Sequence, residues 1–507
     1  MYKTVVLGCL MTALMLTGMA QVMPLPSMEE IRTDMKKAHT DTGRADVMLN
    51  LALSYVFRTG EYKSDLDSAM LWVRNAEHIN REVQDKRIKA KAFFVYSNIL
   101  REGGDTSAGR KFILQSLAVY RTVDAPSDMG EAWLEAANYY SGDNNEMIRK
   151  KRVNYLEALT LFERSGNKLR QADALKNIGD FDKVLAEDRR LAMKELKEAL
   201  SIYLSIGYNQ LHGVYITLAD LCTEEGDYPN MARYCEMAVK YGEMTGDTSL
   251  QMARIYNSTG TAYIQLGKYE TAVPFVKKAI GIAKKYDNQQ YLTFLTRNLC
   301  YPLLHLGRTK EAIQQVKEME KIISSRKEPL ADLQQAAFLS TQVMVYTVTK
   351  QYDKAASCVK EYLLLLKKHG STDDVYWFTS PLVTYFINTH QGKEAETCAD
   401  SLLRYSRARN TIEGLSVSYF TKARADSAIG DLRSALTNYQ RYKKLVDSQF
   451  NEASSFQLAQ FQVEFETEKK DNNIKVLQEE REIQKVRLEH SRIFITIVVI
   501  GVAILTL

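Results

Sequence analysis

The chain has 507 residues, a length that corresponds to about three domains of ~150 residues each. With only 8 Pro and 25 Gly it has too few turn-formers for an all-β sandwich, and with 25% charged residues too few charges for disorder, so an all-helical protein is expected. The 67 Lys and Arg against 62 Asp and Glu leave a net charge of +5 spread along the chain without a one-faced basic stripe, which argues against nucleic acid as a partner.

At the N-terminus, Met1 to Ala20 carries Lys3, an uncharged run from Val5 to Thr17, and small residues at Gly18 and Ala20. The pattern predicts a secretory signal peptide over 1–20, cleaved after Ala20. Cys9 does not suit lipidation, because Leu7 stands two residues before it where a small residue is wanted. Cleavage leaves Cys222, Cys235, Cys300, Cys358 and Cys398, an odd number without paired spacing, all in apolar helical stretches. They read as structural thiols and not as a disulfide framework.

From 28 to 447 one unit recurs: a helix with small and aromatic residues, a turn, and a second helix. The turn is visible at Arg58–Tyr62, Glu224–Tyr228, Gln265–Tyr269, His305–Thr309, Val348–Ala355, His390–Ala395 and Ala428–Leu432. A small or aromatic position in the second helix falls at Ala76, Ala118, Ala158, Ala199, Ala238, Ala279, Met319, Tyr362, Leu402 and Tyr442, at intervals of 39 to 43 residues. The spacing predicts about ten helix pairs in one solenoid instead of three domains.

Arg254 to Asp287 is the clearest unit. Tyr256, Gly260 and Tyr263 supply an aromatic, a small and an aromatic residue to the first helix, Gly267 and Tyr269 mark the turn, and Ala272 and Ala279 lie on the second. Gly260 and Ala272 allow two backbones to approach closely, and the tyrosines fill gaps between successive pairs. Trp133, Ala137 and Tyr140 repeat the first-helix pattern. This unit resembles the tetratricopeptide repeat, though the period is about 40 where that family has 34. The closing proline is missing, and Pro274 and Pro302 sit inside helices, where each removes a hydrogen bond.

The resemblance implies an all-α helical-hairpin solenoid with a concave surface for extended peptides or protein partners. The first-helix residues expected to line that groove are Asn138, Asn177, Asp220, Arg254, Asn257, Arg297, Tyr301 and Arg424. The family's clamp for a terminal carboxylate, with its paired Lys and Asn positions, is not reproduced.

After the repeats, 448–492 reads as a long charged helix without Pro or Gly. Val476, Ile483 and His490 are seven apart, which leaves two readings open: a coiled-coil seam for a homodimer, or a single exposed helix. Residues 493–507 form an uncharged run whose ~22 Å of helix falls short of the ~30 Å hydrocarbon core. They predict an incomplete transmembrane helix.

This order of segments resembles the tetratricopeptide-bearing membrane regulators of Bacteroidota-type bacteria, in which the repeats are a periplasmic sensor and a histidine kinase or helix-turn-helix module follows the span. The resemblance implies a single-pass inner-membrane protein whose repeat region senses an envelope ligand. A non-signalling envelope scaffold is the alternative from a different class.

Enzymatic chemistry is not indicated. Gly103 to Lys111 has the glycine spacing of a phosphate loop, but Arg110 and Lys111 stand where Lys and Ser/Thr are required. The seven histidines are scattered, without metal-ligand spacing, and no cofactor or metal is expected.

Overall fold

The structure is a computed structural model that describes residues 28–449, apart from 59–62, 143, 186–188, 327 and 371–372, together with 481, 484 and 485. The expected signal peptide (1–20) and membrane segment (493–507) lie outside the described residues, as do nearly all of 448–492 and the turn residues 59–62. Among the described residues no helix is long and apolar enough to cross a membrane.

After α1 (Met28–Lys37) the helices follow as hairpins. The first five are α2 (Asp41–Val56) with α3 (Lys63–Val83), α4 (Lys86–Glu102) with α5 (Thr106–Tyr120), α6 (Pro126–Ala137) with α7 (Asn145–Ser165), α8 (Lys168–Leu185) with α9 (Arg189–Ser205), and α10 (His212–Glu225) with α11 (Tyr228–Met244). The next three are α12 (Leu250–Gln265) with α13 (Tyr269–Lys285), α14 (Gln289–His305) with α15 (Thr309–Ser324), and α16 (Asp332–Val348) with α17 (Tyr352–Leu366). A 3-10 turn (Asp374–Thr379) then leads into α18 (Ser380–Asn388) with α19 (Gly392–Arg409), and α20 (Ile412–Ala428) with α21 (Leu432–Gln449) is the tenth.

Local chemistry sets the ends of these helices. The Asp85 carboxylate accepts from the backbone N–H groups of Arg87 and Ile88, Asn144 from Met147, Ser249 from Gln251 and Asn288 from Tyr291. Each satisfies donors that the first helical turn leaves orphaned. Six first helices, α10 to α20, end at a left-handed residue 40 to 43 positions after the last: Gly226, Gly267, Gly307, Lys350, His390 and Gly430. At the ninth hairpin, within the His390–Ala395 turn, His390 takes the left-handed conformation and Gly392 opens α19. A Cβ there would meet Ile429 at 2.7 Å, so close packing is what requires that glycine. The stretch around Gly103 and Gly104 is the turn between α4 and α5, capped by Asp105.

Second helices are amphipathic. In α13, Ala272, Val276, Ala279 and Ala283 lie on one buried stripe, the three- and four-residue spacing of a helix with one face in the core. Of the ten aligned second-helix positions, Ala118 is exposed and its neighbour Leu117 is buried instead, so the register of that hairpin is shifted by one residue. The other nine are buried. Pro274 and Pro302 both lie inside helices, as expected. The five cysteines are free thiols, Cys358 half-buried and the others buried. Burial pushes Cys300 and Cys398 up to about 12 and Cys358 up to about 11, which keeps the thiolate scarce at neutral pH.

First helices have little open surface. Every residue of α14 from Tyr291 to Leu303 is buried, and in α12 only Arg254 interrupts the buried run from Met252 to Ile264. The close approach expected at Gly260 is present: a Cβ there would lie 2.5 Å from Val276 Cγ2 and 3.4 Å from the Ala272 carbonyl oxygen. Gly260→Ala should therefore push α12 from α13 and cost about 1–2 kcal/mol net, overpacking outweighing the helix propensity of alanine. Gly281→Ala, with nothing within 4 Å of its Cβ and an exposed place in α13, should stabilise by up to ~1 kcal/mol. Urea unfolding of the two variants should move in opposite directions from wild type.

Candidate ligand-binding groove

The left-handed turn residues give a common register for the inner face. Ten positions before each stand Ile216, Asn257, Arg297, Ser340, Ser380 and Phe420; six before stand Asp220, Thr261, Tyr301, Met344, Thr384 and Arg424. Five of the eight residues expected from sequence fall on these two rows, and two consecutive pairs are bonded. Arg297 Nη1 donates to Ser340 Oγ at 2.8 Å and Arg424 Nη1 to Thr384 Oγ1 at 3.1 Å. Between the rows, Asn298 Nδ2 donates to Asn257 Oδ1 at 2.9 Å.

The groove is not open in this conformation. Asn257, Arg297 and Tyr301 are 2%, 4% and 8% exposed, which corrects the expectation that they form a solvent-lined surface. Strong curvature is the cause. Arg297 of the seventh hairpin lies 5.4 Å over the Phe378 ring of the ninth, and Phe294 is 6.1 Å from the same ring, so the first helices close over one another. Burial pulls the Arg297 guanidinium down to about 10, opposed by the tyrosine hydroxyls of Tyr362 and Tyr301. Tyr301 packs beside His305 and Tyr269.

Curvature also brings distant hairpins together. Helix α20 contacts α10, and Gln265 Nε2 at the end of α12 donates to Glu413 Oε1 at 3.0 Å across 148 residues of sequence. Glu413 is buried, and burial pushes its carboxyl up to about 8, with the Gln265 hydrogen bond pulling the other way. The closure was invisible in sequence, since no local pattern links Gln265 to Glu413.

Asp220 and Arg254 meet directly in a partly buried cluster on α8, α10 and α12, where Lys183 Nζ also reaches Asp220 Oδ2 at 3.0 Å. Burial raises the Asp220 carboxyl, but Lys183 and Arg254 outweigh it and hold the group below its ordinary value. Lys183 is not marked by the repeat pattern, because it lies on α8, before the first member of the six-position row. Asn138 and Asn177 stand apart: Asn138 is an exposed C-cap bonded to Glu135, and Asn177 donates to the Asp173 carbonyl oxygen one turn back. Among the described residues no group of His, Cys, Asp and Glu could hold a metal ion.

The tetratricopeptide repeat family matches residues 211–285, the two hairpins α10–α13. No curated protein matches the chain. Solved structures similar to it include the apo form of the quorum sensor NprR from B. thuringiensis, 13% identical over 73% of this chain and 99% of that one, with a TM-score of 0.45. Aspartyl phosphate phosphatase F from Bacillus subtilis is 12% identical over 74% and 96% of the two chains, TM-score 0.44, and NprR in complex with its cognate peptide NprX is 15% identical over 76% and 98%, TM-score 0.38. The matched hairpins, with the helices packed on either side of them, make the described chain an all-helical tetratricopeptide-like solenoid.

Proposed function

We propose that the chain is the protein-binding sensor module of a membrane-anchored signal-transduction regulator, receiving an extended peptide or a partner protein along the first-helix face from α10 to α20. One observation carries the reading. The inner face carries polar side chains paired with polar neighbours, Arg297 with Ser340, Asn257 with Asn298, Ser380 with Thr421 and Thr384 with Arg424, where an apolar core would have been cheaper to build. Buried polar groups keep their stabilisation only while paired. An incoming backbone, with a donor and an acceptor at every residue, can replace those internal bonds as the superhelix opens.

The sequence order of leader, repeats, charged helix and apolar segment supports the anchored, periplasmic setting, with the membrane reached through 493–507. No catalytic step belongs to this reading.

Affinity capture of bound peptides and proteins on the full chain, read by mass spectrometry, tests it. Asn257→Leu combined with Arg297→Met replaces two members of the polar row by apolar side chains and removes the bonds they make to Asn298 and Ser340. Capture of the specific partner should fall by on the order of tenfold or more. Undiminished capture by the double variant would overturn the groove reading. Recovery of the mature chain in the soluble periplasmic fraction would overturn the anchored setting.

A further inference from the structure

A second site lies away from the inner face, between the second and third hairpins. A cavity of 120 Å³ is bounded by α5, by α6 and the residues just after it, and by α7. Its apolar wall is Ile113, Leu117 and Ala136, with Leu114 at the solvent side, 58% exposed. Trp133, Tyr139 and Tyr140 supply flat aromatic surface. A cavity of about 150 Å³ with apolar walls is known to accept benzene. This one therefore suits a single small ring or a branched aliphatic group.

The charged groups lining it are of one sign. Arg110 and Arg121 both border the cavity and both are exposed, and neither forms an ion pair with a described residue; Arg110 lies 5.8 Å over the Tyr140 ring. No Asp or Glu is among the lining residues. The indole Nε1 of Trp133 is shielded from water and has no hydrogen-bond partner. Asn154, 7% exposed, also lines the cavity. A buried donor left unmatched costs about 1–3 kcal/mol, which here falls on Trp133 Nε1, and two exposed arginines with no carboxylate among the lining residues set positive charge beside it, so the cavity calls for an anionic acceptor.

We propose that this cavity binds a carboxylate carried on a small apolar or aromatic body, the ring or alkyl group entering between Trp133 and Leu117 and the carboxylate meeting the arginines. Such a group is offered by a free organic acid and by the C-terminal residue of a peptide alike. Arginine suits it because the guanidinium fork matches both carboxylate oxygens. The site is independent of the groove proposed above, from which it shares no residue.

Phenylacetate titrated into the full chain, followed by calorimetry and by tryptophan fluorescence, is the test. Saturable binding is expected, with a fluorescence change that disappears in Trp133→Phe. Phenylacetamide, equal in shape but uncharged, should bind on the order of tenfold more weakly, as should phenylacetate to Arg110→Ala/Arg121→Ala. Both arginines are exposed, so their loss leaves folding intact, and Asn257→Leu/Arg297→Met should bind phenylacetate like wild type. A tripeptide ending in Phe, compared with its C-terminal amide, assigns the source: a chain end if it binds tighter than phenylacetate, a free acid if it binds more weakly. No saturable binding, equal binding of acid and amide, or indifference to loss of both arginines would overturn the proposal.

Discussion

Replacing Arg170 by Met should destabilise the array by about 3–5 kcal/mol, the range found when one partner of a buried ion pair is removed. Arg170 on α8 is 5% exposed. Its Nε and Nη2 each donate to a Glu131 oxygen at 2.5 Å, and Nη1 donates to Asp173 Oδ2 at 2.9 Å. The Tyr203 hydroxyl donates to the other Asp173 oxygen at 2.5 Å, so one guanidinium ties α6 of the third hairpin to α8 and α9 of the fourth. These groups stand at a seam, where the apolar core spanning Ala45 to Ala136 gives way, through a small cluster that includes Ala137, Phe162 and Ile178, to the one spanning Ala172 to Ala425. Methionine fills much of the volume but strands two carboxylates. Burial already pushes Glu131 up, and the Arg170 charge beside it is what pulls it down.

The charge origin of that loss can be separated from a packing defect. Adding Glu131→Gln and Asp173→Asn to Arg170→Met removes the stranded charges and should recover more than half of the lost stability. Lowering the pH toward 5 should shrink the deficit of Arg170→Met, because the stranded carboxyls can then take protons. Urea unfolding measures both effects, and hydrogen exchange should localise the weakening to α6–α9. A loss below about 1 kcal/mol, or no recovery in the triple variant, would refute the role given to Arg170.

The repeat was legible because the same local requirement returns about every 40 residues. A helix crossing needs a small side chain, and Gly260 and Ala279 announce that directly, as Gly226, Gly267 and Gly307 announce the turns. Legibility failed where two neighbours could satisfy the same need. Leu117 and Ala118 both suit a helix interior, and only the packing decides that Leu117 turns inward. At the ninth hairpin the turn lies within His390–Ala395 as read from the sequence, but the left-handed residue and the glycine separate: His390 takes the positive φ, while Gly392 is required by Ile429.

For the groove, sequence placed Asn257, Arg297 and Tyr301 on the correct helices but gave them the wrong environment. Curvature accumulates from small rotations between successive hairpins. No single unit reveals that the seventh will touch the ninth through Arg297 and Phe378, or that the tenth will return to the sixth through Glu413 and Gln265. The cavity beside Trp133 was hidden for the opposite reason. The aromatic spacing of Trp133 and Tyr140 reads as ordinary repeat packing, while what distinguishes the site is an indole N–H without a partner.

Glu413→Gln should stabilise the closed superhelix above neutral pH. The folded carboxyl is pushed up to about 8 by burial, against about 4.3 for an unfolded glutamate. A raised carboxyl means that the folded state holds the proton more tightly than the unfolded one. The contribution of this contact is therefore complete below about pH 4 and declines as pH rises toward 8. Tyr228, whose buried hydroxyl is itself pushed well up, is the titratable neighbour and stays neutral over that window. Glutamine preserves the acceptor for Gln265 and carries no proton to lose, so the variant should exceed wild type by about 3 kcal/mol at pH 7 and match it near pH 4. Glu195 is also pushed up to about 8, by burial and by Asp182, so only the difference between the two proteins isolates Glu413. Hydrogen exchange in α10 and α20, measured from pH 5 to 8, should show wild type opening with pH and the variant holding. An unchanged pH dependence in the variant would refute the assignment. Because a partner entering the inner face must separate α20 from α10, tighter closure should also weaken capture at pH 8, by the factor through which the open population falls.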